Sequence, residues 1–307
     1  MPILIPDYNV RNLRPEEIPL LLDLAKAEGR HMGLEAEIET WLEVDPECFF
    51  VACSDSGDIL GSCCGVRLSE EHGYVGMYVV KPEYRSLGIG KKVWNAAIEH
   101  LGDRNKGLSA VDSYFPLYRD KAGFNVVADW TVDLYRLENA HEMDLDLADL
   151  YLDSKLRILP ISDEELIRDV IAYDKEIHVY DRSKIVRLSL LERGCISRVA
   201  LLGDTVCGYG CIKPGLQGLW IITPLYADSE HVAHLLLSEL IGSLSEEERE
   251  KGFALKVPST NTAAAGVMSH FGFCRQTYSL RRCYTHSVVD LPVSRIFALQ
   301  TSVFCTE

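Results

Sequence analysis

Val75-Gly-Met-Tyr-Val-Val80, followed by Lys81-Pro82-Glu83-Tyr84 and then Arg85-Ser86-Leu87-Gly88-Ile89-Gly90-Lys91-Lys92, is the stretch on which the fold turns. An apolar, β-branched run reads as a strand. It stops at a Pro-containing turn, a loop with two glycines follows, and apolar residues at Val93, Ala96, Ala97 and Leu101 predict an amphipathic helix from about Gly90 to Leu101. A strand–loop–helix of this kind leaves unpaired backbone N–H groups at the helix start, where the helix dipole adds positive potential. Such a place suits phosphate or pyrophosphate. Gly88 and Gly90 let a ligand approach the backbone, and Arg85 can either contact that ligand or brace the loop. The spacing is neither the GxGxxG of dinucleotide folds nor the GK[ST] of a P-loop.

Outward from this segment, the chain repeats itself. Phe49 to Leu68 reads as strand, turn at Asp55-Ser-Gly-Asp58, strand; Ile196 to Pro214 does the same around Gly203-Asp204. Each half continues with a strand (Tyr74–Val80; Leu219–Thr223), an amphipathic helix (Gly90–Leu101; Glu230–Leu244), a short strand, and a helix. Each then closes with a Gly-Phe pair (Gly123-Phe124; Gly272-Phe273) and a last strand (Val126–Leu137; Cys274–Tyr284). The period is domain-sized, so the chain is a duplicated α/β unit with helices on a central sheet. The predicted organisation is a first domain over 1–137, an acidic linker over 138–153, and a second domain over 154–307. The tail from Val288 to Phe304 alternates enough to predict a further strand bridging the halves.

The order strand, VxPxxRxxGxG, helix resembles the coenzyme-A-binding segment of the GNAT superfamily of acyl-CoA N-acyltransferases. Leu117-Tyr-Arg-Asp-Lys-Ala-Gly-Phe124 is similar to that superfamily's LYxxxGF segment. The resemblance implies two tandem GNAT-type domains (α+β), each a mostly antiparallel central sheet flanked by helices, with acetyl-CoA as co-substrate and no metal. It implies that Arg85, Ser86, Leu87, Gly88, Ile89, Gly90 and Lys91 cradle the pyrophosphate, and that Met77, Tyr78, Val79 and Val80 pair with the pantetheine arm. It implies, too, that Tyr118 protonates the departing thiolate. Where many members have Asn and Ala upstream of that tyrosine, this chain has Val111-Asp-Ser-Tyr114.

The implied activity is N-acetyl transfer to a primary amine, directly in a ternary complex. The attacking amine must be neutral, and the thiolate needs a proton, which a tyrosine with an ordinary pKa of about 10 can give. Glu71, His72 and Asp112, each near a strand end, are candidate bases. The alternative is a non-catalytic acyl-CoA-binding sensor or interaction protein; Tyr118 beside an intact RxxGxG favours the enzyme.

The second half lacks the loop. It has Thr223-Pro-Leu-Tyr-Ala-Asp-Ser229, without glycine or Arg, and Val267 where the repeat aligns Tyr118. It resembles the degenerate C-terminal GNAT-like domain of tandem acyltransferases, through Pro224-Leu-Tyr-Ala-Asp228, Asn261-Thr-Ala-Ala264 and Arg282-Cys-Tyr284. Tyr226, Asp181 and Asn261 are its polar candidates for completing an acceptor pocket.

Charge narrows the partners. The 307 residues carry 46 acidic and 31 basic side chains, net −15, against a nucleic-acid binder. Residues 1–137 hold 22 acids and 14 bases, 138–153 six acids and no base, and 154–307 18 acids and 17 bases. Glu35, Glu37, Glu39, Glu43, Asp45 and Glu47 crowd a stretch free of Lys and Arg, which predicts a cationic acceptor near Glu35 and Glu39: a small amine or a lysine side chain. No apolar run is long enough to span a membrane, no signal-peptide pattern opens the chain, and the cysteines sit in apolar runs without CxxC pairs. The expectation is a cytoplasmic enzyme with reduced, buried thiols, and with Cys207 and Cys211 on one strand face.

Overall fold

The computed structural model describes residues 6–138 and 155–300; most of the acidic linker, the end of the tail and Cys305 lie outside the described residues. The first half runs β1 (Tyr8–Asn12), α1 (Ile18–Ala27), α2 (Glu35–Val44), β2 (Phe49–Ser54), β3 (Ile59–Arg67), β4 (His72–Val80), α3 (Ile89–Leu101), β5 (Asn105–Val111), α4 (Phe115–Ala122) and β6 (Val126–Leu137). The second runs β7 (Leu156–Pro160), α5 (Glu164–Ile177), α6 (Ser183–Leu190), β8 (Ile196–Leu202), β9 (Thr205–Pro214), β10 (Trp220–Ala227), α7 (Glu230–Gly242), α8 (Glu246–Arg249), β11 (Phe253–Pro258), α9 (Thr262–His270), β12 (Cys274–Tyr284) and β13 (Ile296–Ala298).

The two halves share one mixed sheet of 13 strands, in the order β1-β2-β3-β4-β5-β12-β6-β11-β10-β9-β8-β7, with β13 beside β10. The last strands are exchanged. β12, from the second half, lies antiparallel between β5 and β6, and β6, from the first, lies antiparallel between β12 and β11. Neither half therefore closes its own sheet, and both lose a free edge in the middle of the molecule.

Helices cover both faces. On one, α3 and α4 bury Ile89, Val93, Ala97, Leu101 and Phe124 against Leu60, Cys63 and Val75, and α7 and α9 bury an equivalent layer around Leu236, Leu240 and Val267. On the other, α1 and α2 pack Leu21, Ile38 and Trp41 on Val51, Val66 and Met77, while α5 and α6 pack Val170, Tyr173 and Val186 on Val199 and Tyr209. Ile185 of α6 joins the α1–α2 cluster, so this face is continuous between halves. The acids of α2 serve that junction. Buried Glu37 accepts from the Gly33 amide (2.5 Å) and, with Glu192, flanks buried Lys213 at 3.5 and 2.9 Å. Burial opposes the ammonium charge, but the two carboxylates hold the Lys213 pKa above its ordinary value.

Strand direction fixes where each end of each strand lies. β4, β5 and β6 run one way, and β10, β11 and β12 the other. The C-terminal ends of the first set thus share an edge of the sheet with the N-terminal ends of the second. The second half is upside down relative to the first.

Two expectations are corrected. β13 does not bridge the halves; it pairs with β10 inside the second one (Leu225 with Ala298, Tyr226 with Ile296). The bridging contacts come from just after β12, where Ser287 O accepts from Asn105 Nδ2 (2.8 Å) and the His286 amide donates to Asn105 Oδ1 (3.0 Å). Cys207 and Cys211 face opposite helix layers, because β9 has one extra residue against β8 between Val206 and Gly208.

Candidate active site

The site begins with a bulge. β4 pairs with β3 along its length, but two residues, Met77 and Tyr78, stand opposite Cys63 alone. Met77 sits at φ +47°, and its carbonyl is taken by the Ser62 hydroxyl at 2.8 Å. The bulge bends β4 away from β5. The two strands pair in parallel only over His72–Tyr74 with Asn105–Gly107, and past Tyr74 they part. That divergence leaves the second half of β4, Val75 to Val80, as an edge inside the sheet, at the wide end of a V-shaped slot.

At the mouth of the slot stands the α3 N-terminus. Its N-cap is Gly88 at φ +88°, with no side-chain cap, so the first amides of α3 have no partner within the helix. Ser86 before it also has positive φ, +63°. Alternating left-handed residues turn successive N–H groups toward one concavity, which is how backbone binds anions. Arg85 braces this loop: its Nε donates to Val80 O (3.0 Å) and its guanidinium pairs with Glu28 (2.5 Å). Gly90 is required by a close approach, since a Cβ there would stand 2.5 Å from the Tyr78 hydroxyl.

Inside the slot, aromatic rings line up. Trp94 of α3 stacks on Tyr118 of α4 (centroids 5.4 Å, 30°) and meets Tyr78 edge-on (5.4 Å). Burial pushes the Tyr118 hydroxyl well above the ordinary tyrosine range, and the charge of Arg30 offsets this only in part. Tyr118 therefore stays protonated at any working pH. The residues fit an acyl-CoA: an uncapped helix start for the pyrophosphate, a strand edge without a β5 partner past Tyr74 for an amide-bearing arm, and a protonated hydroxyl in the slot.

The structure groups the predicted loop (Arg85 to Lys91), the predicted strand (Met77 to Val80) and Tyr118 around one slot. It separates others from them. Glu71 and His72 lie at the start of β4, the opposite edge of the sheet, lining a cavity of 530 Å³ with Asn105 and His286; His72 stacks on Tyr180 at 5.3 Å. Tyr226 and Asn261 follow the inversion to that same far edge, and both are buried. Tyr226 packs on Tyr209, and Asn261 caps α9 through the Ala264 amide (3.0 Å) while its Nδ2 holds Ile296 O (3.0 Å). Asp181 receives the Ser183 amide at the start of α6 (2.8 Å). Asp112 is at the right edge, but Arg281 engages its carboxylate at 2.6 Å. Glu35 lines a separate cleft with Leu22, Leu34 and Arg193, and Glu39 pairs with Arg193 at 3.2 Å. Of the acids that suggested a cationic acceptor, Glu37 and Glu39 pair across the junction between halves, with Lys213 and Arg193, and Asp45 meets His100 Nε2 at 2.8 Å inside the first half.

Residues that sequence reading missed stand at the mouth. Trp94, one turn after Gly90, had a signal in that i, i+4 spacing. Arg30, Tyr114, Arg136 and Tyr278 had none, since the loop after α1, the turn between β5 and α4 and the exchanged strands bring them together.

Residues 13–124 match the Acetyltransferase (GNAT) family and residues 170–298 an Acetyltransferase (GNAT) domain. The chain belongs to the GNAT acetyltransferases and carries two GNAT domains in tandem; it is an acyl-CoA-dependent acyltransferase. Among its relatives, an uncharacterised N-acetyltransferase of Bacillus subtilis (strain 168), YitH, is 28% identical over 85% of this chain and 86% of its own length. The holothin acyltransferase of Pseudoalteromonas sp. (strain SANK 73390) is 25% identical over 75% and 73%. Among solved structures, one from Pyrococcus horikoshii has a TM-score of 0.73 at 18% identity, covering 98% of this chain and 97% of the other. A tandem GNAT protein from the clavulanic acid biosynthesis pathway has 0.63 at 17%, covering 92% and 100%. At these identities the structures show the shared fold. Among the described residues no cluster suited to a metal ion occurs, and no helix is long and apolar enough to cross a membrane.

Proposed function

We propose that the first half transfers an acetyl group from acetyl-CoA directly to a primary amine, with both substrates bound together, and that residues 154–307 act as a support domain that walls the acceptor side. The observation that carries the proposal is the β4–β5 slot, which opens between an uncapped helix start and a protonated tyrosine. The co-substrate supplies a thioester already activated toward amines. Amides of the Ser86–Lys91 loop hold its pyrophosphate, and the edge of β4 from Met77 to Val80 aligns its arm so that the thioester lies near Tyr118. Trp94 fixes the Tyr118 ring and excludes water from beside it. As the amine nitrogen bonds to the acetyl carbon, the carbon–sulfur bond breaks, and Tyr118 Oη gives its proton to the sulfur. The amine loses its own proton to solvent at the open mouth, and solvent returns a proton to Tyr118 Oη before the next turnover.

The test is release of free thiol from acetyl-CoA across a panel of amines, with Tyr118→Phe alongside. Turnover that depends on an amine and collapses in the variant supports the proposal. Tight coenzyme A binding with no turnover on any amine overturns it and favours an acyl-CoA sensor.

A further inference from the structure

Because the pyrophosphate loop sits on the α3–α4 face, a thioester entering the slot presents its acyl group toward the opposite face, where α1 and α2 lie. The rim on that side is built by both halves. From the first come Arg30 and His31, in the loop after α1, and Arg136, near the end of β6. The second contributes Lys256 in the middle of β11, Tyr278 near the start of β12, and Gln217, which fastens the rim loop by donating to the carbonyls of Lys26 (3.1 Å) and Arg30 (3.3 Å).

Register places the charges. Ala254 pairs with Arg136 and Lys256 with Leu134, so Lys256 and Arg136 are diagonal neighbours on one face, roughly 7–8 Å apart by ordinary sheet spacing. Arg30 reaches from the loop to the slot itself, donating from Nη2 to the Tyr78 carbonyl at 3.1 Å. That partner is neutral, and among the described residues no carboxylate pairs with this guanidinium. Arg136 reaches exposed Glu138 at 3.5 Å, a long and solvent-screened pairing, and its Nε is buried without a hydrogen-bond partner among the described residues. The nearby acid of β6, Asp133, alternates to the other face, where Arg275 holds it at 2.8 Å. The titratable side chains at the rim feel the same sign. Tyr278 is influenced by Arg30 and Arg136, and Tyr118 by Arg30. His31 is driven down to about 4 by burial, with Lys256 and Arg136 adding to it, so it stays neutral.

We propose that the acceptor is an amine that also carries an anionic group, a carboxylate or a phosphate, received by the guanidinium groups of Arg30 and Arg136 with Lys256 beside them. This rests on the acyl-transfer function above and replaces the cationic acceptor suggested by charge composition. An exposed guanidinium with a neutral partner, and another with an unsatisfied buried N–H, are the groups that form charge-assisted bonds to oxyanions. A cationic acceptor would meet repulsion at the same rim. The anion would dock across the junction between halves, leaving the amine to reach toward Tyr118.

The full chain is assayed with acetyl-CoA on matched amines: an alkylamine, the amino acid and the aminoalkyl phosphate of similar length, and a diamine. We expect kcat/KM for the acidic amines to exceed that for the alkylamine by about tenfold or more, with the diamine lowest and the preference shrinking as salt rises. Arg136→Gln and Lys256→Gln, checked for unchanged melting midpoints, should narrow the ratio of acidic to neutral amine. The carboxylate and phosphate arms tell which oxyanion is favoured. Calorimetry supplies a readout free of turnover: an N-acetylated amino acid should bind more tightly than its methylamide, and Arg136→Gln should abolish the difference. If no amine is turned over yet the acid binds through Arg136, acyl transfer fails and the anion site stands. Equal kcat/KM across the series, a preference for the diamine, or equal binding of acid and methylamide overturns the proposal.

Discussion

The two halves share a fold and treat the same slot in opposite ways. In both, a bulge pushes one central strand from its parallel neighbour: β4 from β5 in the first half, and β10 from β11 in the second, where pairing is limited to Trp220 with Phe253 and Ile221 with Ala254. In the first half the gap is open to a ligand. In the second, β13 lies in it, pairing with β10, and the Leu299 amide donates to Lys256 O at 2.8 Å. The helix that follows differs in the same sense. The start of α3 has Gly88 and no cap, whereas α7 is capped by its own Ser229, whose hydroxyl accepts from the Val232 amide. Asp228, beside that cap, is held by Arg295 at 2.7 Å and by the Tyr173 hydroxyl at 3.0 Å. The second half fills its gap with a strand and caps its helix, where the first half has neither β13's counterpart nor a side-chain cap among the described residues. The same fold thus presents an open gap or a filled one according to how its hydrogen bonds are completed.

Removing the Tyr118 hydroxyl, the proton donor we propose and absent at Val267 of the second half, should have the largest effect. Tyr118→Phe is expected to lower kcat by about 10²–10⁴-fold, the ordinary worth of a positioned proton donor, while coenzyme A affinity stays near wild type. Placing a hydroxyl at the equivalent Val267 should create no activity. Steady-state thiol release, with calorimetry for coenzyme A, reads both. Because burial raises the Tyr118 pKa, the proton is retained as pH rises through the ordinary tyrosine range. The wild-type kcat should accordingly show no loss assignable to Tyr118 between pH 7 and about 10, the ordinary tyrosine pKa.

Next is the junction that joins the halves. Lys213→Met leaves Glu37 and Glu192 buried without their shared cation, and should cost about 3–5 kcal/mol of stability. Since the strands are exchanged, denaturant unfolding should show one transition shifted as a whole. Two transitions, with only one displaced, would break the picture of a shared sheet.

A smaller effect is expected at Gly90. The Cβ of Gly90→Ala meets the Tyr78 hydroxyl, and an overpacked contact of about 1–3 kcal/mol should raise KM for the acyl-CoA roughly tenfold. Adding Tyr78→Phe removes the clashing oxygen and should restore much of the loss. The weakest effect belongs to Ser229→Ala, which uncaps α7 at about 0.5–2 kcal/mol. It should shift the melting midpoint and leave coenzyme A stoichiometry at one per chain, because β13 still fills that gap.

Much of the fold was legible. The repeat of hairpin, strand, helix and Gly-Phe pair follows from local periodicity and turn chemistry, and the loop Arg85 to Lys91 is a local device whose residues are contiguous. The structure sets Glu71 and His72 apart from the slot because a strand has two ends, and the sequence does not say which one faces it. Tyr226 and Asn261 lie at the far edge because the exchanged strands invert the second half. The acids of α2 misled because their partners, Lys213 and Arg193, lie more than 150 residues away in the chain.

Sequence alone determined the duplication and singled out the Arg85–Lys91 loop and Tyr118 as candidates, since each rests on residues that are neighbours along the chain. Tertiary structure decided which gap stays open, which edge the mouth occupies and what sign of charge borders it. Those depend on strand order and direction, on a tail strand filling one gap, and on Arg30, Arg136 and Lys256 meeting from three separate segments. Pairing between distant strands is settled by the burial of the whole sheet, and no local pattern encodes it.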